Sequence, residues 1–404
     1  MLARAPAVRE ARRAASVAAR ASTSRAASSS PSPSSAAAAP PPPRRIFSGI
    51  QPTGVPHLGN YLGALRSWLE LQQADAAASA PEHAAAGAAA SGPAGSTHVF
   101  FSIVGLHALT VPQAGKQLRR ERRAMLRCLL AIGIDPARCT LFHQEQVPEH
   151  AELAWILNCL TSVGKLNRMT TWKGKLATLR GTDAAAGEPE MEQMNLGLYA
   201  YPVLQAADIL LYRATHVPVG EDQLQHLELA RDIAHGFNRQ YKTSLFPAPA
   251  HIITPTKRVL SLRDPAQKMS KSAPDASSRL LLTDSPAEVR YKLKRAVTDS
   301  ERELVYDPAE RPGVSNLLLM LSSLRGTTPE HEVAALNAAG GGAGRLKEAT
   351  TEAVVEALQP IQAALRRLDD DPGYVDEVER SGRERARAEA RRTMAAVRQL
   401  VGFG

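Results

Sequence analysis

Three short apolar runs, Ile46–Ile50, Val99–Val104 and Thr140–Phe142, recur along the chain with helical patterning between them, and this alternation constrains the fold more than any other feature. The first run, Ile46-Phe47-Ser48-Gly49-Ile50, reads as the opening strand of an α/β fold. Leu62, Leu65, Leu69 and Gln72 then keep three-four spacing from about Gly59 to Gln73, and a second helical pattern fills Ala114–Ile132. Strands separated by helices pair in parallel, since the crossover helix returns the chain to the same end of the sheet. The fold class expected is α/β with a parallel sheet. After about residue 285 the β-branched runs stop, and Ala, Leu, Arg and Glu at helical spacing, broken at Gly340–Gly344, predict a C-terminal α-helical region.

Two segments stand apart. Ala74–Gly95 dissolves into Ala, Gly, Ser and Pro and is expected to be an exposed, disordered insertion. Residues 1–43 lack aromatics and lysine and close on Pro40–Pro43, a composition that matches an organellar transit peptide, with a disordered nucleic-acid-binding tail as the alternative. Residues 1–45 hold eight arginines and one glutamate, so they carry +7 of the net charge of +9 and leave the remainder close to neutral. No run reaches 18 uncharged apolar residues, so no membrane partner is expected. Cys128, Cys139 and Cys159 form no CxxC pair and no even set. They are expected to pack as small apolar groups, and no metal ligands are assigned.

Chemistry is suggested by two turns. Between the first strand and first helix, Ile50-Gln51-Pro52-Thr53-Gly54-Val55-Pro56-His57-Leu58-Gly59-Asn60 offers small residues and the unpaired N–H groups of a helix start, a setting that suits a phosphate or a plain connection. Gln267-Lys268-Met269-Ser270-Lys271-Ser272, bracketed by Asp264-Pro265 and Ala273-Pro274, reads as a loop. Its two lysines can swing onto a polyphosphate or remain solvated.

Together these turns resemble the signature motifs of class I aminoacyl-tRNA synthetases, the HIGH-type turn at His57–Asn60 and the KMSKS loop at Lys268–Ser272. Further blocks at Ile46–Gln51, Gly59–Trp68, Tyr201–Tyr212, Val217–Gln223, Ala296–Ser300 and Arg311–Leu318 are similar to the tryptophanyl-tRNA synthetase family. Composition sets the transit peptide over 1–45, and the resemblance, which begins at Ile46, implies a Rossmann-like catalytic domain over 46–273 and a helical tRNA anticodon-binding domain over 274–404. It also implies activation of L-tryptophan by ATP with Mg²⁺, then transfer to tRNA(Trp), by a homodimer; the composition of residues 1–45 sets the expected location as chloroplast and/or mitochondrion. A tyrosyl-tRNA synthetase, a small-substrate nucleotidyltransferase and an inactive synthetase-like RNA-binding protein are the competing readings.

Site residues follow partly from spacing and partly from the resemblance. A helix beginning near Pro202 projects Tyr201, Gln205 and Asp208 from one face. A buried Asp208 needs a donor, and the indole N–H is donor-only; a nearby Arg or Tyr is the structural alternative. The resemblance assigns Asp208 to the indole, Tyr201 and Gln223 to the substrate ammonium and carboxylate, and Phe47, Val217 and Val219 to the walls, with Gly49, Gln205 and His107 also in the pocket. Gln205 replaces a methionine common in the family, and Gly105 stands where an aspartate is frequent. Gly220-Glu221-Asp222-Gln223 opens a helix with Leu224, Leu227, Ile233 and Phe237 as its apolar positions. By resemblance Gly220, Glu221 and Asp222 meet ATP, as do Val259, at the end of a strand before the KMSKS loop, and Gln51, Pro52, Thr53, His57, Gly59 and Asn60. The loop adds Lys268, Met269, Ser270, Lys271 and Ser272, with Gln51, Lys268 and Lys271 as the catalytic set. Two arginine-rich helices, Arg119–Arg127 and Arg383–Arg398, read as solvated faces, the second lying in the region the family uses for the anticodon.

Overall fold

Alternate side chains leave the strands toward opposite faces, and both faces are apolar. On β1 (Arg45–Ile50), β2 (His98–Ile103) and β3 (Thr140–His143), Ile46, Val99, Phe101, Ile103 and Leu141 enter one core, while Phe47, Phe100 and Phe142 enter a second. Such a sheet needs helices on both sides. This computed structural model describes residues 43–78, 97–169, 195–220, 223–253, 258–271 and 273–404, which fall in one compact unit, Pro41–Gly404. The expectations for residues 1–42, for most of the 74–95 insertion, and for Glu221, Asp222 and Ser272 lie outside the described residues.

With β4 (His216–Val219) and β5 (Ala250–Ile253) the strands form a parallel five-stranded sheet in the order β3-β2-β1-β4-β5, as expected of a Rossmann-like fold. The first core is roofed by α1 (Leu58–Asn60), a π-turn (Tyr61–Leu65) and α2 (Arg66–Ala78), which lead from β1 toward β2, and by α4 (Gly115–Ala131). A short α3 (Gly105–Ala108) sits at the tip of β2. The second core is covered by α5 (Glu149–Leu160), α6 (Val163–Asn167), α7 (Leu196–Leu211) and α8 (Leu224–Gln240). Beyond residue 274 the described chain is helical, with α9 (Pro286–Lys294), α10 (Pro312–Arg325), α11 (Pro329–Ala338), α12 (Ala343–Asp370) and α13 (Pro372–Val401).

Helix α13 straddles the outer strand β3. Its Val375 and Val378 join the first core, whereas Ala386, Ala390, Met394 and Val397 join the second. Gly382 lies between the two sets, where a Cβ would overlap the Leu141 carbonyl oxygen and come within 2.9 Å of its carbon. The helix thereby covers a sheet edge that would otherwise template aggregation. Gly382→Ala should cost about 3 kcal/mol, since strand backbone cannot yield as a flexible side chain does. An unchanged urea midpoint would show that the helix does not cross so closely.

Several of the arginines expected to form solvated faces are ion-paired within the chain. On α4, Arg122 pairs with Glu145, Arg123 with Asp376 at 2.5 Å and Arg127 with Asp369; on α13, Arg391 and Arg398 reach Glu149 and Glu152 of α5 at 3.4 and 2.5 Å. These pairs fix which helices lie together more than they add stability.

Local differences from the sequence expectations have identifiable causes. Strand β1 starts at Arg45, a residue earlier than expected, because the Arg45 N–H donates to Thr215 Oγ1 at 2.9 Å and its guanidinium to the Tyr212 carbonyl at 2.7 Å and to Glu389 at 2.7 Å. Helix α7 starts at Leu196 rather than near Pro202, because the Asn195 side chain caps it by accepting the Leu198 N–H at 2.8 Å. Val259 does not end a strand: β5 closes at Ile253, and the Val259 carbonyl instead accepts the Met269 N–H at 3.1 Å. Cys128 and Cys139 are buried, but Cys159 is exposed on the outer face of α5.

Candidate active site

Strand β1 lies between β2 and β4, so connections leave it in both directions and open a crevice at the carboxyl ends of the strands. A cavity of about 460 Å³ lies there, within the range of small-molecule sites. Phe47 and Gly49 of β1, His107 of α3, Tyr201, Gln205 and Asp208 of α7, Val217 and Val219 of β4, and Gln223 all border it. These are the nine residues the resemblance implied for the amino acid, and Gln51 borders the same space. Sequence reasoning missed Ser48, Val104, Ile209, Pro218 and His226, which complete the lining. His226 was within reach of helical logic, lying three residues beyond Gln223.

Asp208 is 1% exposed, and its need for a donor is already met from inside the protein. Oδ2 accepts from His107 Nε2 at 2.8 Å, Oδ1 from His150 Nδ1 at 2.6 Å, and the Gln144 amide donates to both oxygens at 2.7 and 2.8 Å. Neither the Arg nor the Tyr of the structural alternative is a direct partner; two histidines and an amide take that place. His150 Nε2 meets the Tyr212 hydroxyl at 2.9 Å, so the same ring ties Asp208 to Tyr212. Burial alone would raise the Asp208 carboxyl, but His150 and His107 outweigh it and hold the group down at about 2.

At the other side of the cavity, the Tyr201 hydroxyl meets His226 Nε2 at 3.0 Å, and His226 Nδ1 meets Gln223 Oε1 at 2.9 Å. One histidine therefore fixes the orientation of both side chains. The space that a side chain at Gly105 would need is taken by Glu145: a Cβ there would come within 2.7 Å of its carboxyl carbon. Burial raises the Glu145 carboxyl, with Arg122 working against it.

The two signature turns meet through the Lys271 side chain, and backbone bonds tie the first turn to the segment that follows the second. The Leu58 N–H donates to the Leu280 carbonyl at 2.7 Å and the Leu282 N–H to the Pro56 carbonyl at 3.1 Å. His57 Nδ1 accepts the Asn60 N–H while Asn60 Oδ1 accepts the His57 N–H, both at 3.2 Å, so His57 and Asn60 cap α1 reciprocally. Gly59 fits between the His57 ring and Val259. Lys271 Nζ donates to the Gly54 carbonyl at 3.0 Å and to Thr53 O and Oγ1 at 3.3 Å, and burial lowers it to about 8. Pro52 is buried, Thr53 and Lys268 are exposed, and Ser270 and Gly220 are half-buried. The Met269 side chain sits in the first core at 2% exposure, which leaves only its backbone to meet a ligand. Arg279, which sequence reasoning missed, adds to the positive field of Lys271 and Lys268 at His57.

That field has a consequence for stability. Burial, reinforced by Lys271, Lys268 and Arg279, lowers His57 from 6.5 to about 4, and burial with Arg122 lowers His143 to about 3. Both stay neutral in the folded chain at a pH where the unfolded chain protonates them, so unfolding takes up protons. Stability is therefore full above about pH 6.5 and should fall toward pH 4 by about 1.4 kcal/mol per unit for each histidine. Asp208, lowered from 3.8 to about 2, adds a further loss below pH 4. Urea midpoints at pH 7.5, 6 and 5 read the slope, and equal midpoints would contradict it.

Residues 41–359 match the family model for tRNA synthetases class I (W and Y), and the chain belongs to that family. Within it, the similarity is to the tryptophan branch. The chain is 42% identical over 362 residues to "Tryptophan–tRNA ligase, mitochondrial" of Schizosaccharomyces pombe, covering 89% of this chain and 95% of that one. It is 44% identical over 362 residues to "Tryptophan–tRNA ligase 2" of Streptomyces avermitilis, covering 89% and 97%. Among solved structures, the tryptophanyl-tRNA synthetase from Mycoplasma pneumoniae superposes with a TM-score of 0.70 at 32% identity, covering 89% of this chain and 98% of that one.

Proposed function

We propose that this chain is a tryptophan–tRNA ligase that joins L-tryptophan to tRNA(Trp) through an adenylate. The observation that carries the reading is the cavity at the sheet switch point, bordered by Asp208 and Tyr201 and also by Gln51, with Lys271 of the second signature turn resting on Thr53 and Gly54 of the first. Phe47, Val217 and Val219 wall the indole, Tyr201 and Gln223 hold the ammonium and carboxylate, and Asp208 meets the ring N–H. A tryptophan carboxylate oxygen attacks the α-phosphorus of ATP in line, forming a new P–O bond as the bond to pyrophosphate breaks. A terminal ribose hydroxyl of tRNA then attacks the acyl carbon and releases AMP. No protein nucleophile takes part, so rate comes from positioning and from Lys268, Lys271 and Gln51 stabilising the charge that develops on pyrophosphate. Met269, Ser270, Val259, Gly220, His57, Gly59 and Asn60 shape the nucleotide site around them.

Mg²⁺ enters as the counter-ion of ATP. Among the described residues no group of three or more His, Cys, Asp or Glu side chains could hold a metal. The helices after residue 274 take the tRNA anticodon arm. A homodimer is supported by Leu109, Trp155, Val163 and Leu196, all more than half exposed. Bonds from Asn195 Nδ2 to the Thr110 carbonyl and from the Tyr199 hydroxyl to the Val163 carbonyl bring three of their segments side by side. No helix among the described residues is long and apolar enough to cross a membrane. The arginine-rich leader and a mitochondrial relative favour an organelle, with the mitochondrion preferred over the chloroplast. ATP–pyrophosphate exchange by the full chain, run with each of the twenty amino acids, tests the reading. Tryptophan alone should support exchange; exchange with tyrosine would move the chain to the other branch of the family.

A further inference from the structure

Gln144, the first residue of the 3-10 turn that follows β3, is 0% exposed and does not border the cavity. A fully buried amide must satisfy both its donors and its acceptor. Its nitrogen donates to both Asp208 oxygens at 2.7 and 2.8 Å, and its oxygen accepts the Leu106 N–H at 3.0 Å. One side chain thereby fixes a carboxylate on α7 and the backbone of α3, the turn that carries His107 onto that carboxylate. His150 holds the Asp208 carboxylate as well, from α5. Of the three donors on Asp208, only His107 borders the cavity.

We propose that Gln144 is a positioning residue for amino-acid specificity: with His150 it occupies the side of the Asp208 carboxylate turned from the cavity, so that the edge shared with His107 meets a ring N–H of the substrate. A carboxylate offers about four lone-pair sites, and Gln144, His150 and His107 fill them; only the one held by His107 borders the cavity, so the substrate ring N–H takes that site in place of His107. The proposal rests on the reading of this chain as a tryptophan-activating enzyme.

Gln144→Glu and Gln144→Met test it by pyrophosphate exchange with the full chain. In Gln144→Glu, the introduced carboxyl repels Asp208 and cannot donate while it is ionised; once protonated, it donates its O–H to Asp208 and still accepts from Leu106. The titratable groups around this position are Asp208, which Gln144 bonds directly, its partners His107 and His150, and the flanking His143 and Glu145, which meet each other at 3.9 Å and reach Glu379 and Arg122 in turn. At pH 8 both variants should raise the tryptophan KM by roughly tenfold or more, consistent with loss of a buried hydrogen bond to a charge, while the ATP KM stays within about twofold. On going to pH 6 the tryptophan KM of Gln144→Glu, taken relative to wild type, should recover, and that of Gln144→Met should not. Should the charged variant fail to fold, Gln144→Met alone decides. A wild-type tryptophan KM in Gln144→Met, or parallel losses in the tryptophan and ATP KM without pH recovery, would overturn the proposal. Absence of tryptophan-dependent exchange in the wild type would instead overturn the reading beneath it.

Discussion

Replacing Asp208 by asparagine should lower kcat/KM for tryptophan by roughly 10³-fold or more, the scale expected when a site built around a buried hydrogen bond loses it. Asparagine keeps the volume but presents an amide NH₂ toward a surround of donors. His107, His150 and Gln144 all give hydrogen bonds to the carboxylate, at 2.6 to 2.8 Å, and at least one of them loses its acceptor. Each buried polar group left so costs about 1–3 kcal/mol. The loss should fall on tryptophan and spare ATP, whose proposed contacts lie at the signature turns. Discrimination against phenylalanine and tyrosine should collapse to what pocket shape supplies, about 10²-fold. Pyrophosphate exchange with the three aromatic amino acids measures both effects, and an Asp208→Asn enzyme that still selects tryptophan would show that the carboxylate does not read the ring.

A comparable loss is expected at the KMSKS loop. Lys271→Ala should reduce kcat by about 10²–10³-fold with little change in the tryptophan KM, as for removal of one donor that acts on developing charge. Lys268→Ala should act in the same direction. Lys271 now rests on the Gly54 and Thr53 carbonyls, half-desolvated, with its ammonium lowered to about 8. Phosphate charge would restore its affinity for a proton. ATP binding near pH 8 should therefore take up about half a proton through this lysine, seen as a dependence of calorimetric heat on buffer ionisation enthalpy. The uptake should vanish in Lys271→Ala, and a change confined to the tryptophan KM would contradict the role given to the lysine.

Strands β1, β2 and β3 were legible because both of their faces are apolar, so Ile46–Ile50, Val99–Val104 and Thr140–Phe142 stand out as short runs against their surroundings, whereas β4 and β5 were not read as strands. The signature turns were legible because they are local: His57 and Asn60 cap one helical turn within four residues. The donors to Asp208 were not. They come from residues 107, 144 and 150, on segments that touch only after the sheet has formed, and no spacing in the sequence announces them. The path of α13 over β3 was hidden for the same reason, since Gly382 gains its meaning from Leu141. The exposed Cys159 shows the limit of composition, which cannot say which face of a helix turns outward.

One comparison isolates the contact proposed to govern substrate selection. The tryptophan isostere 3-(benzothiophen-3-yl)alanine keeps the shape of the ring but carries sulfur in place of the N–H. In pyrophosphate exchange the wild-type chain should prefer tryptophan to this isostere by about 10³-fold or more, and Asp208→Ala should all but abolish that preference. Equal kcat/KM for the two amino acids in the wild type would contradict the account at its centre.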